Sequence, residues 1–250
     1  MACAEETGAN EGTRHVKDAV LFDLGNTLVQ YWQSAEFPAL LERAIAGVRD
    51  ELDREGLLHV APQEMWPRVQ AENHESPDHR VRPLEERLTR IFGLEESALS
   101  NVLQAALCRR FLEPLLACGQ CYADTLPTLD ALRARGLRTA IVSNLPWGSP
   151  ADPWREELNR LGLMERIDLA VFCRDVGWRK PAKPIFEFVL SGLQVAPERC
   201  LFVGDHPTWD VAGARAAGMD AVLVDRWTAA PHAEERGIHS LHELWGVLGR

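Results

Sequence analysis

The sequence predicts an α/β fold, a doubly wound parallel sheet covered by helices, and three observations predict it. Apolar runs of strand length, rich in β-branched residues, recur at 19–24, 138–143, 169–173, 200–204 and 221–225. Amphipathic stretches at 125–135, 153–161, 184–190 and 209–217 lie between the later runs, and strands alternating with helices in this way form parallel sheets with both faces covered. The 250 residues, 46% of them hydrophobic, suffice for a large core and a second, smaller domain.

In chain order, residues 1–15 are small, polar and acidic and read as a flexible N-terminal arm, with neither a secretory signal nor a transit peptide. After the first strand, 19–24, the next begins only at Arg138. Between them Phe37, Leu40, Leu41, Ala44, Ile45, Val48 and Leu52 fall at helical spacing, as do Leu84, Leu88, Ile91 and Phe92, and then Leu99, Val102, Leu103, Ala106 and Phe111. A helical cap domain over 33–118 is therefore expected to interrupt a core made of 16–32 and 119–250. Ligands of open α/β sheets bind beyond the carboxyl ends of the strands, so an insertion emerging there covers the site. Asp152 followed by Pro153 reads as an N-cap with proline at the first helical position, and Gly136 and Gly218 stand where helices should stop.

Lys and Arg number 27 against 37 Asp and Glu, a formal charge of −10. The chain has no general attraction for a phosphate backbone or an anionic bilayer, so no nucleic acid and no membrane are expected among its partners. No run approaches the roughly 18 apolar residues of a membrane span. Six scattered cysteines fit reduced thiols and a cytoplasmic location better than a disulfide framework. Nothing in the pattern sets an oligomeric state.

Chemistry gathers at the strand ends. The first strand ends in Asp23-Leu24-Gly25-Asn26, a carboxylate followed by residues that tolerate unusual backbone angles, which is either a turn device or a reactive group. The second ends in Ser143-Asn144, a polar terminus or a hydroxyl that binds phosphate together with the following amides. Two of the three lysines, Lys180 and Lys183, share the loop 177–186, which is otherwise a solvated loop. The fourth strand ends in Gly204-Asp205, with Asp210 on the turn into the next helix. In a doubly wound sheet these ends converge, so Asp23, Asp205 and Asp210 crowd into one crevice and repel unless a cation neutralises them. Hard oxygen ligands favour Mg²⁺. A lysine and a hydroxyl on the rim suit a phosphoryl group.

These four elements, in this order, resemble the four motifs of the haloacid dehalogenase superfamily. The likeness runs from 19 to 226, and the stretch from Val203-Gly204-Asp205 through Asp210 to Gly218-Met219 is its most specific part. The resemblance implies a Rossmann-like core with a helical cap between the first and second motifs, and a phosphatase-like hydrolase acting on a small phosphorylated metabolite. It implies Asp23 as the nucleophile that forms an aspartyl phosphate. It implies Mg²⁺ held by Asp23, the backbone carbonyl of Gly25 and Asp205, with Asp210 in support. Ser143 and Lys180 would hold the phosphoryl oxygens, Lys180 also tempering the charge of Asp23, and Asn144 would join them in substrate binding.

One position departs from the pattern. Phosphatases of the family usually carry a second aspartate two residues after the nucleophile, as general acid and base, and here that residue is Gly25. Three readings follow. A phosphatase would pass the proton through water, His206 or a cap residue such as Glu36. A different hydrolase is the second: a 2-haloacid dehalogenase resembles this chain less, since those enzymes need no metal and lack the Gly204-Asp205 pair, and phosphonate cleavage needs a cap lysine that 33–124 does not contain. The third is a weakly active or non-catalytic protein that binds phosphate compounds. The phosphatase leads because every other motif residue is present. Arg80 and Arg82, in the polar segment 72–82, are candidates for gripping an anionic part of the substrate, the alternative being a solvated loop. Cys118 and Cys121 have redox or zinc spacing but no matching pair elsewhere, and read as coincidental. Trp32, Trp147 and Trp178 follow the motifs closely and are either packing or pocket walls.

Overall fold

The computed structural model describes residues 16–95, 99–227 and 237–249; the expected arm, 1–15, lies outside them. Strand β1 (Ala19–Phe22) is inaccessible at all four side chains, as a central strand covered on both faces requires. The chain then makes a short strand, β2 (Val29–Gln30), and enters the helices α1 (Phe37–Arg54), α2 (Pro62–Glu72), α3 (Leu84–Phe92) and α4 (Asn101–Leu116) before returning through β3 (Gln120–Cys121). β2 and β3 pair antiparallel, so the insertion leaves and rejoins the core through one two-residue ribbon. From there α5 (Thr125–Ala134), β4 (Arg138–Ser143), α6 (Ala151–Arg160), β5 (Leu169–Phe172), α7 (Cys173–Val176), α8 (Lys183–Leu193), β6 (Cys200–Gly204), α9 (Gly213–Ala216), β7 (Asp220–Val224), β8 (Gly237–Ile238) and α10 (Leu244–Leu248) follow.

The main sheet has the order β5-β4-β1-β6-β7-β8, and every pair in it is parallel. The order turns at β1: the chain runs outward to β4 and β5 on one side and to β6, β7 and β8 on the other. The α/β fold read from the alternation is the fold observed. Gly136 and Gly218 have φ of +73° and +89°, a left-handed backbone that stops the preceding helix without Cβ strain.

Two local expectations are corrected. α6 begins at Ala151 with Pro150 as its N-cap, so Asp152 lies inside the first turn, where its charge complements the helix dipole, rather than capping it. In α4 the buried face is Leu107, Cys108, Phe111, Leu112 and Leu115, whereas Val102 is 80% exposed. α1, on which α4 packs, buries its row from Leu40 to Leu52 as expected.

The insertion is also fastened to the core away from its ribbon. The segment before α3 pairs antiparallel with the loop ahead of Lys180: the Val81 amide donates to the Gly177 carbonyl (3.0 Å) and the Arg179 amide to the His79 carbonyl (2.8 Å). Arg174 grips Glu85 through both carboxylate oxygens, at 3.0 and 2.9 Å. No helix among the described residues is long and apolar enough to cross a membrane.

Candidate functional site

The turn after β1 sets the site. The Asp23 amide donates to the Val203 carbonyl (2.9 Å), which prolongs the β1–β6 pairing by one residue and fixes the carboxylate at the carboxyl end of the central strand. Asn26 then takes a left-handed φ of 56°, and the Leu28 and Val29 amides both return to the Leu24 carbonyl (3.0 Å each), closing a tight loop. β4 delivers Ser143 and Asn144 on one side and β6 delivers Asp205 on the other. Asp210 lies on the turn of helix that follows β6, where its Oδ2 accepts the His206 amide (3.0 Å). Gly204 is required there, because a Cβ would overlap the Asp210 carboxyl group.

Lys180 binds these ends together. Its buried ammonium group donates to Asp23 Oδ1 (2.5 Å) and to the Val142 carbonyl (2.7 Å), and lies 2.7 Å from Asp210 Oδ1. Asn144 positions it: Asn144 Oδ1 accepts the Lys180 amide (2.8 Å) and Asn144 Nδ2 donates to the Lys180 carbonyl (3.0 Å). The side-chain amide of Asn144 thus holds the lysine backbone while the residue lines the cavity.

Asp23, Asp205 and Asp210 bring carboxylate oxygens within 4.8 Å of one another and form the one such His, Cys, Asp or Glu group among the described residues. Burial pushes the Asp23 carboxyl up to about 6, with the Asp210 charge adding to it and Lys180 opposing it. Asp205 is pushed up to about 8, again first by burial and then by the charges of Asp23 and Asp210. Burial alone would lower Lys180, but Asp210 and Asp23 outweigh it and hold the ammonium charged. Three carboxylates against one lysine leave a deficit of positive charge, and an all-oxygen set with that deficit fits a hard divalent cation such as Mg²⁺.

A cavity of about 170 Å³ opens over this cluster. Asp23, Gly25, Ser143, Asn144, Lys180, Asp205 and Asp210 all line it, so the structure brings together every motif residue the sequence singled out. Gly25 is not there for want of room: the nearest atom a Cβ would meet is Tyr31 Cδ2 at 3.8 Å.

Arg80 and Arg82 lie elsewhere. The Arg80 guanidinium covers the Trp178 ring at 4.3 Å, and Arg82 donates to the Glu72 and His74 carbonyls and to Glu72 Oε2 (2.5 Å). Both fasten the insertion to itself and to the core, and neither lines the cavity. Glu36 is exposed and accepts the Gln33 amide (2.7 Å). His206 turns its Nδ1 to the amides of Thr208 (3.2 Å) and Trp209 (3.1 Å) and stacks on Trp209, so its ring is outside the cavity lining. Cys118 and Cys121 direct their sulfurs to the separate carbonyls of Pro114 and Leu161, away from each other. Of the tryptophans named, Trp32 lines the cavity, while Trp147 is buried against Phe111 and Trp178 lies under Arg80. Tyr31, Trp154 and Trp209 also line it and were not assigned to it from sequence. Tyr31 directly follows β2 and Trp154 lies in the first turn of α6, outside the strand-end motifs. Spacing along the chain carries no trace of either.

Residues 17–218 match the family of haloacid dehalogenase-like hydrolases. The chain is 34% identical over 177 residues to a phosphoserine phosphatase of Thermus thermophilus, covering 69% of this chain and 67% of that one. It is 31% identical over 236 residues to a phosphoglycolate phosphatase of Rhodospirillum rubrum, covering 92% and 89%. Among solved structures, a HAD phosphatase from Thermococcus onnurineus and a 2-haloacid dehalogenase from Pseudomonas syringae pv. Tomato DC3000 each align with a TM-score of 0.64 and 26% identity, over 93% of this chain and 98% of theirs. The order and geometry of the four strand-end elements and these likenesses agree: the chain belongs to the haloacid dehalogenase-like hydrolases.

Proposed function

We propose that this hydrolase is a Mg²⁺-dependent phosphatase acting on a small phosphorylated metabolite through an aspartyl phosphate on Asp23. The observation that carries the reading is the convergence of Asp23, Lys180, Asp205, Asp210 and Ser143 on one cavity at the carboxyl ends of β1, β4 and β6. Asp23, Asp205, Asp210 and the Gly25 carbonyl would hold the metal, which supplies positive charge to the three carboxylates and the phosphoryl oxygens.

The remaining steps belong to the chain. Asp23 is fixed by its own amide and by the Lys180 ammonium, so its free carboxylate oxygen meets the phosphorus with little reorganisation. Lys180 keeps Asp23 ionised. The Ser143 hydroxyl, at the end of β4, donates to a phosphoryl oxygen. Water then hydrolyses the aspartyl phosphate. Phosphoryl transfer needs mostly positioning and charge neutralisation, and the site supplies both.

The dehalogenase alternative is disfavoured by the same cluster: displacing halide needs no cation, and three crowded carboxylates would then be an uncompensated cost. Phosphate release from a panel of phosphate monoesters, with Mg²⁺ or with EDTA, tests the reading. Turnover should require Mg²⁺ and fall by on the order of 10⁴-fold or more in Asp23→Asn. Halide release from 2-haloacids, indifferent to EDTA, would replace it.

A further inference from the structure

We propose, resting on the phosphatase reading, that the leaving group this site accepts is a flat, uncharged body joined to phosphorus through an acidic oxygen: an aryl or enol phosphate monoester with no second anionic group. The apolar part of the lining is mostly aromatic, formed by Leu24, Tyr31, Trp32, Pro146, Trp154 and Trp209. Its rings are held in place. Tyr31 meets Trp154 edge-on at 5.6 Å and Trp32 at 5.5 Å, Trp154 Nε1 donates to Ser149 Oγ (2.9 Å), and Trp209 lies flat on His206 at 3.9 Å. Fixed ring faces and edges favour another ring between them. The cavity is small: an apolar cavity of about 150 Å³ is filled by one benzene, so at about 170 Å³ this one encloses no body larger than a single ring.

Charge narrows the class. The lining side chains contribute three carboxylates and one ammonium, and that ammonium is already shared by Asp23, Asp210 and the Val142 carbonyl. The nearby arginines are engaged elsewhere: Arg155 with Asp175 (2.8 Å), Arg160 with Glu157 (2.7 Å), and Arg80 and Arg82 as described. A carboxylate or second phosphate on the leaving group would be buried beside three like charges with no cation of its own.

Proton supply narrows it again. Among the lining residues no acid is placed to protonate the departing oxygen, because the lysine protons are committed, the three aspartates form the charged cluster, and the Tyr31 hydroxyl is itself buried, with burial and the Glu157 charge holding it well above its ordinary pKa. An Asp23 oxygen therefore attacks phosphorus, the bond from phosphorus to the leaving oxygen breaks, and the electron pair departs on that oxygen. A phenol or enol oxygen is stable as the anion and takes its proton from water afterwards. A second water then breaks the aspartyl–phosphorus bond, returning the Asp23 carboxylate and inorganic phosphate. An alkoxide would need its proton during the break, a contribution of about 10²- to 10⁴-fold.

The test compares kcat/KM of the Mg²⁺-loaded protein for phenyl phosphate, a series of ring-substituted phenyl phosphates, methyl phosphate, phosphocholine and phosphoglycolate. Phenyl phosphate should exceed the last three by about 100-fold or more, and the ring-substituted series should slow steadily as the phenol becomes less acidic. Parity with any of the three, or a flat series, overturns the proposal. Trp32→Ala and Trp209→Ala should each shrink the advantage of phenyl over methyl phosphate, and Gly25→Asp, which sets a carboxyl group into the cavity, should shrink it by raising methyl phosphate; no change in any of the three variants also overturns it. Tryptophan fluorescence titration with phenylphosphonate and phosphonoacetate separates the two levels. If no ester is turned over, the phosphatase reading falls, and tighter binding of phosphonoacetate would sink the ligand class with it.

Discussion

Two buried charge clusters hold the loop 23–29, and they are balanced differently. At the cavity, Asp23, Asp205 and Asp210 share the single cation of Lys180, and burial drives the carboxyl groups of Asp23 and Asp205 upward. At the other cluster Asp124 Oδ2 accepts from Arg226 (2.7 Å), Ser240 Oγ (2.8 Å) and the Leu241 amide (2.8 Å), and the same guanidinium donates to the Thr27 carbonyl (2.6 Å). Burial alone would raise Asp124 too, but the Arg226 and Ser240 hydrogen bonds outweigh it and hold the carboxyl below its ordinary value. One carboxylate with its own arginine holds the loop in place; carboxylates in excess of cations store repulsion that a bound cation would relieve. The difference separates a structural ion pair from a reactive site on the same loop.

The largest expected effect breaks the balanced cluster. Asp124→Asn leaves the buried Arg226 without its counter-charge and should cost about 3 kcal/mol in urea unfolding. A loss below about 1 kcal/mol would mean that the two clusters do not differ in kind.

A smaller effect sharpens the same contrast through pH. A carboxyl whose folded pKa is depressed adds stability above its unfolded value, near 3.8, and loses it as pH falls through the folded value. The stability gap between wild type and Asp124→Asn should therefore be flat from pH 5 to 7 and shrink steadily as pH falls below the unfolded value near 3.8. A gap independent of pH would show that shape, and not charge, holds Asp124.

The smallest effect has the opposite sign. Asp205→Asn removes one of three crowded carboxylates and should stabilise the metal-free protein by about 1 kcal/mol in EDTA, while abolishing Mg²⁺-dependent phosphate release. Destabilisation of the metal-free protein by this change would contradict the repulsion argument.

How much of this was legible along the chain depends on how local each signal is. β1 reads as a buried strand because Ala19, Val20, Leu21 and Phe22 are all apolar, and Gly136 and Gly218 mark helix ends because only a residue without a Cβ takes that φ freely. Asp23, Ser143, Asp205 and Asp210 were legible as a cluster because parallel strands bring their carboxyl ends together whatever lies between them, and Lys180 because it is one of only three lysines in the chain. Arg80 and Arg82 read as candidate substrate ligands because a basic segment beside a cleft has the same composition as one engaged with other parts of the protein. Only the pairing of Val81 with Gly177 and the stacking of Arg80 on Trp178 place them on the fastening side. Of the apolar row expected around α4, Phe111 is buried and Leu99 and Leu103 pack on the core, and Val102 alone faces solvent.

By itself, then, the sequence determined the alternation of strands and helices, the excess of negative charge and the polar residue at each strand end. These are local properties, set by side-chain period and backbone freedom. Tertiary structure decided that Asn144 serves Lys180, that Tyr31 and Trp154 wall the cavity, and that Asp124 and Arg226 clamp the loop under Asp23. Each of these joins residues distant in the chain, and where a side chain points across such a gap is settled by packing and hydrogen bonding between elements.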